Sequence, residues 1–303
     1  MARLLFSAGA RGEFIRRIQQ KLTAAGFDTK GHDGNYGNNT TAAVKAYQKA
    51  NGLEESGSID EDTWTSLLNE PVPPVRDRCF ALTSAFEGHG YTLAQGNFDG
   101  AGITWGIIGF TLQGGELGKI IQEAYAEQPD AVRDSFGEET DKLLAILKKP
   151  WADQLAWADA ISLGKSKATL AEPWKGSFAK FGETDIAQRL QQDHADKQYY
   201  QAALATAKSF GISSEVGVAL CFDIHVQNGG IKKDSAPKIR AQFQEGMAEK
   251  DKRVIIAKEV ASTAKAEWRA NVLNRKLAIA QGEGDANGIK AVLRNWGLDE
   301  FVI

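Results

Sequence analysis

A chain of 303 residues, 43% of them apolar, has the length of about two domains and enough apolar side chains for ordinary cores. Its longest apolar cluster, residues 103–110, is interrupted by glycine and falls far short of the roughly 18 residues of a membrane span, so no span is expected. A net charge of −3 offers no positive field to nucleic acid or anionic wall polymer, and two cysteines, Cys79 and Cys221, are too few for a disulfide framework and read as free thiols.

The start, Met1 to Phe6, is basic then apolar but too short for a signal-peptide core. Ile15, Ile18 and Leu22 then recur at helical spacing before Gly26, which predicts a first helix. The turn Asp33-Gly34-Asn35-Tyr36-Gly37 leads to Thr40, a candidate cap for a second helix burying Ala43, Val44 and Tyr47 until Asn51-Gly52. After Ser56-Gly57-Ser58, Asp60 is a good N-cap for a third helix, with Glu61 and Asp62 at its positive end and Trp64, Leu67 and Leu68 facing inward. Three of the seven prolines lie in Glu70-Pro71-Val72-Pro73-Pro74, which reads as an extended, semi-rigid spacer. The expected domains are therefore 1–70, a linker 71–76, and 77–303.

Beyond the linker, helical patterns cover 76–87, 115–127, 151–163, 184–208, 213–228, 235–248, 251–280 and 286–296. Residues 90–110 differ. Tyr91-Thr92-Leu93, a turn around Gly96 to Gly102, and Ile103-Thr104 predict a small β-hairpin. The expected fold class is mainly α (α+β), a three-helix module followed by a larger helical domain with a small β element.

In the first segment, Ile18-Gln19-x-x-Leu22, Gly26-Phe27, Asp33-Gly34-x-Tyr36-Gly37, Thr40, Ala43-Val44, Tyr47-Gln48, Asn51-Gly52-Leu53, Gly57, Thr63-Trp64 and Leu67 follow in order. This resembles the three-helix peptidoglycan-binding domain, departing from it in Tyr47 where that family usually has Phe. Most of these positions have structural explanations, as turn glycines or core side chains. The resemblance implies a groove for wall peptide or glycan, with Asn35, Tyr36 and Tyr47 as candidate contacts.

The stretch from Ser84 to Phe110 has the layout of a glycosidase site. Glycoside hydrolysis needs one protonated carboxyl for the leaving oxygen and one ionised carboxylate for water or the transition state. Glu87 ends an apolar helix beside Phe86, a setting that favours the protonated form, whereas Asp99 lies in a glycine-rich turn open to water. Thr104, five residues on, can hold the attacking water. Tyr91, Trp105 and His89 lie nearby in sequence, where aromatic faces could stack on sugar rings; core packing is the favoured role for Trp105.

The string Asp99-Gly100-x-Gly102-x-Thr104-x-Gly106-Ile107-Ile108-Gly109-Phe110 resembles the active-site segment of the family 46 chitosanases, inverting enzymes of the lysozyme superfamily. That resemblance implies a lysozyme-like domain with Glu87 as acid, Asp99 as base and Thr104 as the water-positioning residue. Phe222-Asp223-x-x-Val226-Gln227-Asn228-Gly229 is similar to that family's second helix end, which places Asp223 in a charge network. Ala101 stands where the family has arginine, Ile103 where it has tyrosine, and the Glu87-to-Asp99 loop is shorter, which suggests a different sugar. The shorter layout, and Leu273-Asn274-Arg275-Lys276-Leu277-Ala278-Ile279-Ala280, resemble phage muramidases; Arg275 is a candidate partner for Asp223 or Glu87, or a solvated charge.

The expected function is an N-acetylmuramidase of endolysin type acting on peptidoglycan, with the module concentrating it on its polymer. The alternatives are a chitosanase-like aminoglycan hydrolase and a non-catalytic wall-binding protein. No cofactor or metal is expected, since His32, His89, His194 and His225 are scattered and no HExxH occurs. The endolysin resemblance implies a monomer made in the host cytoplasm and released through a holin to the wall in the periplasm.

Overall fold

The protein is described here by a computed structural model covering residues 2–87 and 90–303. It forms two compact units, Met1–Phe86 with Tyr199–Ile303, and Glu87–Gln198. The fold is mainly α, with short antiparallel sheets.

The first unit begins with β1 (Leu4–Phe6), α1 (Glu13–Ala24), α2 (Asn38–Ala50), β2 (Ile59–Asp60), α3 (Glu61–Leu68) and α4 (Val75–Glu87), whose last residue belongs to the second unit. The three-helix module expected from the sequence is α1 to α3. Ile15, Ile18 and Leu22 are fully buried, and Phe14 packs between Phe6 and Trp64 at centroid distances of 5.4 and 5.7 Å. Asp60 caps α3 by accepting from the Thr63 amide at 2.8 Å, as its type and position predict. Thr40 does not cap α2. The helix starts three residues after Asn35 with Gly37 as N-cap, and the buried Thr40 hydroxyl instead accepts from Gln19 Nε2. Gln19 organises the preceding turn: its amide donates to Asp33 Oδ1 at 2.9 Å and to Asn35 O at 3.0 Å, and its carbonyl accepts from Gly34 N. The proline-rich segment is tied to the module, with Pro71 O accepting from Trp64 Nε1 at 3.0 Å and Glu70 paired with Arg17.

In the second unit, β3 (Ala94–Gln95), β4 (Thr104–Trp105) and β5 (Phe110–Thr111) form one antiparallel sheet in that order. The expected hairpin is thus extended by a third strand. Around it lie α5 (Glu116–Glu127), α6 (Pro129–Phe136), α7 (Thr140–Ile146), α8 (Trp151–Ala160), the hairpin β6 (Ser162–Leu163) and β7 (Thr169–Leu170), α9 (Trp174–Gly182) and α10 (Asp185–Ala195). Its core is aromatic: Trp105 stacks on Phe181 at 5.3 Å, and Phe136 meets Phe178 edge-on at 5.2 Å. The single helix expected over 184–208 is interrupted by a π-helical turn, Asp196–Tyr200.

The chain then returns to the first unit with α11 (Gln201–Ser209), α12 (Glu215–Asn228), α13 (Ser235–Arg240), α14 (Glu249–Ser262), α15 (Arg269–Gln281), β8 (Glu283–Ala286) and β9 (Ile289–Val292). All residues of α12 from Glu215 to Ile224 are buried, as befits a helix apolar on every face. Three expectations are corrected, the first being the helix over 235–248, which ends at Arg240. The helix over 251–280 is two helices, and the helix over 286–296 is a β-hairpin ending in a 3-10 turn. Asn287 and Gly288 have φ of 51° and 74°, the two positive values of a type I′ turn, which no continuous helix accommodates.

The amino-terminal residues pack onto this last turn. Ser7 N donates to Asn295 O and Ser7 Oγ to Asn295 Oδ1, while Trp296, fully buried, donates to Arg11 O at 3.3 Å. Arg3 and the buried Arg78 both pair with Glu215, and each donates to Gly297 O. The boundary expected at 71–76 therefore falls inside one compact unit. Cys79 and Cys221 are unpaired and fully buried; burial pushes both thiols up, Cys221 to about 12. No described helix is long and apolar enough to cross a membrane.

Candidate active site

Glu87 is the half-buried last residue of α4. The end of that helix is held within the first unit: Phe86 O accepts from Asn287 Nδ2 at 3.1 Å, and Asn287 Oδ1 accepts from Asn271 Nδ2 at 2.6 Å. A carbonyl in the last turn of a helix lacks an intrahelical donor, and here an asparagine from the type I′ turn supplies one.

Asp99 sits exposed on the loop between β3 and β4, its Oδ1 accepting from Ala101 N at 3.0 Å. That loop is latched to the β6–β7 hairpin. Asn97 donates through its backbone N to Ser162 Oγ at 2.9 Å and through Nδ2 to Asp159 Oδ1 at 2.6 Å, and its Oδ1 accepts from Gly102 N at 2.9 Å. Gly96 N donates to Ala168 O, and a Cβ at Gly96 would run into Lys167 O and the Ser162 side chain. Lys167 pairs with Asp159; that hydrogen bond, with the one from Asn97, holds the Asp159 carboxyl below its ordinary range. Asp99 is thus free toward solvent while its backbone is fixed.

Thr104 lies on the central strand β4, opposite Gln95 on one side and Thr111 on the other. It is 8% exposed, and its buried Oγ1 has no hydrogen-bond partner among the described residues. A buried hydroxyl normally finds a partner, so this one has capacity for a further hydrogen bond. The glycines that follow are explained by close approach: Gly106 (φ 89°) abuts Gln191, whose Oε1 accepts from Ile107 N at 2.8 Å.

Asp223 belongs to the first unit and is completely buried on α12. Arg275 donates to it through Nε and Nη2, the latter at 2.6 Å; Lys276 donates to Oδ2, and Thr83 Oγ1 to Oδ1 at 3.2 Å. Burial alone pushes this carboxyl up, but the two cations outweigh it and hold it down at about 2. Lys276 also donates to Gln227 Oε1, and the Arg275 guanidinium lies 5.1 Å from the Phe86 ring centroid. Of the three roles open to Arg275, pairing with Asp223 is present, and a solvated charge is excluded by its 1% exposure.

Several aromatic candidates are corrected. Trp105 has no exposed surface and donates to Phe178 O, so its ring has no face for a sugar. Tyr91 is 5% exposed and its hydroxyl is bonded by Gln192. In the module, Tyr36 is 2% exposed with its hydroxyl on Gly57 O, and Tyr47 packs edge-on against Phe27 with its hydroxyl on Ser66. All four are core. Asn35 is exposed and lines a polar cavity of about 370 Å³ with Lys30, Asn38 and Asn39. His89 lies outside the described residues.

The sequence reading missed Asn97, Thr83, Gln191, Lys276 and Asn287. Only Asn287 carried a local signal, the Asn-Gly pair of a tight hairpin; the others are fixed by partners distant in sequence.

Glu87, Asp99 and Thr104, the residues the sequence reading named, all lie in the second unit, as a half-buried carboxyl, an exposed carboxyl and a buried hydroxyl. The family model of glycosyl hydrolase family 46 matches residues 82–255, more than half of the chain, and that of a peptidoglycan binding domain matches residues 11–67. The chain belongs to glycosyl hydrolase family 46. A chitosanase of Streptomyces is 27% identical over 157 residues, which are 49% of this chain and 50% of that protein, so the chain spans about half the length of that relative. Among solved structures, a Gynuella sunshinyii chitosanase in complex with chitotetraose is 19% identical with a TM-score of 0.45, covering 70% of this chain and 87% of that one. A native chitosanase of Bacillus subtilis is 17% identical with a TM-score of 0.47, covering 69% and 86%.

Proposed function

We propose that this protein is a peptidoglycan hydrolase, an N-acetylmuramidase that cleaves the β-1,4 glycan strand of the bacterial wall with inversion. Glu87 gives its proton to the glycosidic oxygen as the bond from C1 to that oxygen breaks. A water held by Thr104 attacks C1 from the opposite face, and Asp99 takes the proton it releases. Inversion needs a carboxyl separation of roughly 6.5–9.5 Å, enough for that water.

The reading rests most on Thr104, whose buried Oγ1 has unused hydrogen-bonding capacity on the strand that follows the Asp99 loop. Membership of family 46 supports hydrolysis of a glycan, and the peptidoglycan-binding match on the same chain supports the wall as its location. Asn35 and the polar cavity beside it are the candidate wall contact. An endolysin role, acting at the wall after release through a holin, is the biological setting we infer. A chitosanase-like activity on a soluble aminoglycan is favoured by the similarity to the Streptomyces chitosanase.

Purified peptidoglycan and chitosan, each digested by wild type and by Glu87→Gln, separate these readings when the products are reduced with borohydride and weighed by mass spectrometry. The expected result is reduced N-acetylmuramic acid from wild type alone. Cleavage of chitosan only would replace the muramidase reading with the chitosanase one.

A further inference from the structure

Among the described residues, the exposed large hydrophobic side chains of the second unit are Phe98, at 48% exposure, and Leu163, at 49%. They are not scattered. Phe98 directly precedes Asp99, and Leu163 directly follows Ser162, whose Oγ accepts from Asn97 N. Both therefore sit on the latched loop and the hairpin that latches it.

A half-exposed phenylalanine gives the fold less than a buried one, and a loop held this firmly does not let it fold away. Phe98 N is itself bonded to Gly96 O at 2.9 Å, and the Asn97 side chain bridges Asp159 and Gly102 on either side of it. The ring is presented to solvent from a held backbone, one residue from the proposed base. An aromatic face of this kind packs against the apolar C–H face of a pyranose or the methyl of an acetamido group.

The charge on the same two segments bears on which sugar. Residues 94–111 and 159–170 carry two acidic residues, Asp99 and Asp159, and two basic ones, Lys165 and Lys167. Asp159 is already engaged by Lys167 and Asn97. No spare carboxylate beyond Asp99 is present there to hold the ammonium of a glucosamine, and the exposed Lys165 opposes it.

We propose that Phe98 is a specificity-determining sugar contact, an aromatic platform beside Asp99 that favours neutral, N-acetylated rings over glucosamine, with Leu163 extending its apolar edge. The proposal deepens the wall-glycan reading by naming the feature of the sugar that is recognised. Asn97 is the positioning residue that holds the platform and Asp99 in one frame.

The test uses full-length Glu87→Gln as parent, so that nothing is hydrolysed. Calorimetric titration compares the tetramer of N-acetylglucosamine with the tetramer of glucosamine. Phe98→Ala should weaken binding of the N-acetylated tetramer by roughly 3- to 10-fold and that of the glucosamine tetramer by less than about 2-fold, whereas Phe98→Trp restores it. Melting temperature should be unchanged, since the side chain is half exposed. Equal affinities of parent and Phe98→Ala for the neutral tetramer, equal losses for both tetramers, or no binding of the neutral tetramer by the parent would each overturn the proposal. Digestion of peptidoglycan by wild type judges the wall reading separately. A Phe98 effect with no wall cleavage would leave the platform standing and remove the muramidase.

Discussion

Asp223 and Asp99 are both aspartates in matched glycosidase motifs, yet the fold treats them in opposite ways. Asp223 has no exposure and is surrounded by Arg275, Lys276 and Thr83; Asp99 is exposed and makes one short turn bond. The first carboxylate is a fixed charge at the centre of a network and has no room to exchange a proton with water. The second has its backbone held by neighbours, chiefly Asn97, so its carboxylate can meet a water molecule. On the proposed mechanism, stability and proton transfer fall to different aspartates.

The largest effect should come from breaking the buried member. Asp223→Ala leaves Arg275 and Lys276 buried without their carboxylate, which should cost about 3–5 kcal/mol and lower the melting transition sharply. A variant as stable as wild type would mean that another anion balances those cations.

Acid should produce the next largest loss. Asp223 is held at about 2, below its ordinary value of 3.8, so its contribution is fully present above about pH 4 and is lost as pH falls through about 2. The linkage amounts to about 2 kcal/mol, readable in urea melts between pH 5 and pH 2. In the Asp223→Ala protein that part of the pH dependence should vanish.

Local patterns in the sequence were sufficient where the structure is local. Helices α1 to α3, the Asp60 cap and the Asp99 turn follow from spacing and residue type. The type I′ turn was also written locally in Asn287-Gly288, but the helical reading of 286–296 overrode it. Other features depend on partners far along the chain. Nothing near Asn97 announces that Ser162 and Asp159 will receive it, and nothing near Arg3 announces Glu215 or Gly297. The aromatic residues beside the motifs suggested sugar platforms, whereas Trp105, Tyr91, Tyr36 and Tyr47 were needed to fill cores. Phe98, hidden between the motif residues, is left exposed. The proline run suggested an extended, semi-rigid spacer; Trp64 holds its start, and the contacts of Ser7 and Arg11 with Asn295 and Trp296 join the amino-terminal residues to the unit that contains α12.

The smallest structural effect should accompany the largest functional one at Asp99. The most direct test of this division is the turnover of Asp99→Asn on whichever glycan wild type cleaves, measured beside its melting temperature. Turnover should fall by about 10²–10⁴-fold, because the base is gone, while the melting temperature stays within about 2 °C of wild type. Retention of more than a tenth of the activity in a fully folded Asp99→Asn protein would contradict the account.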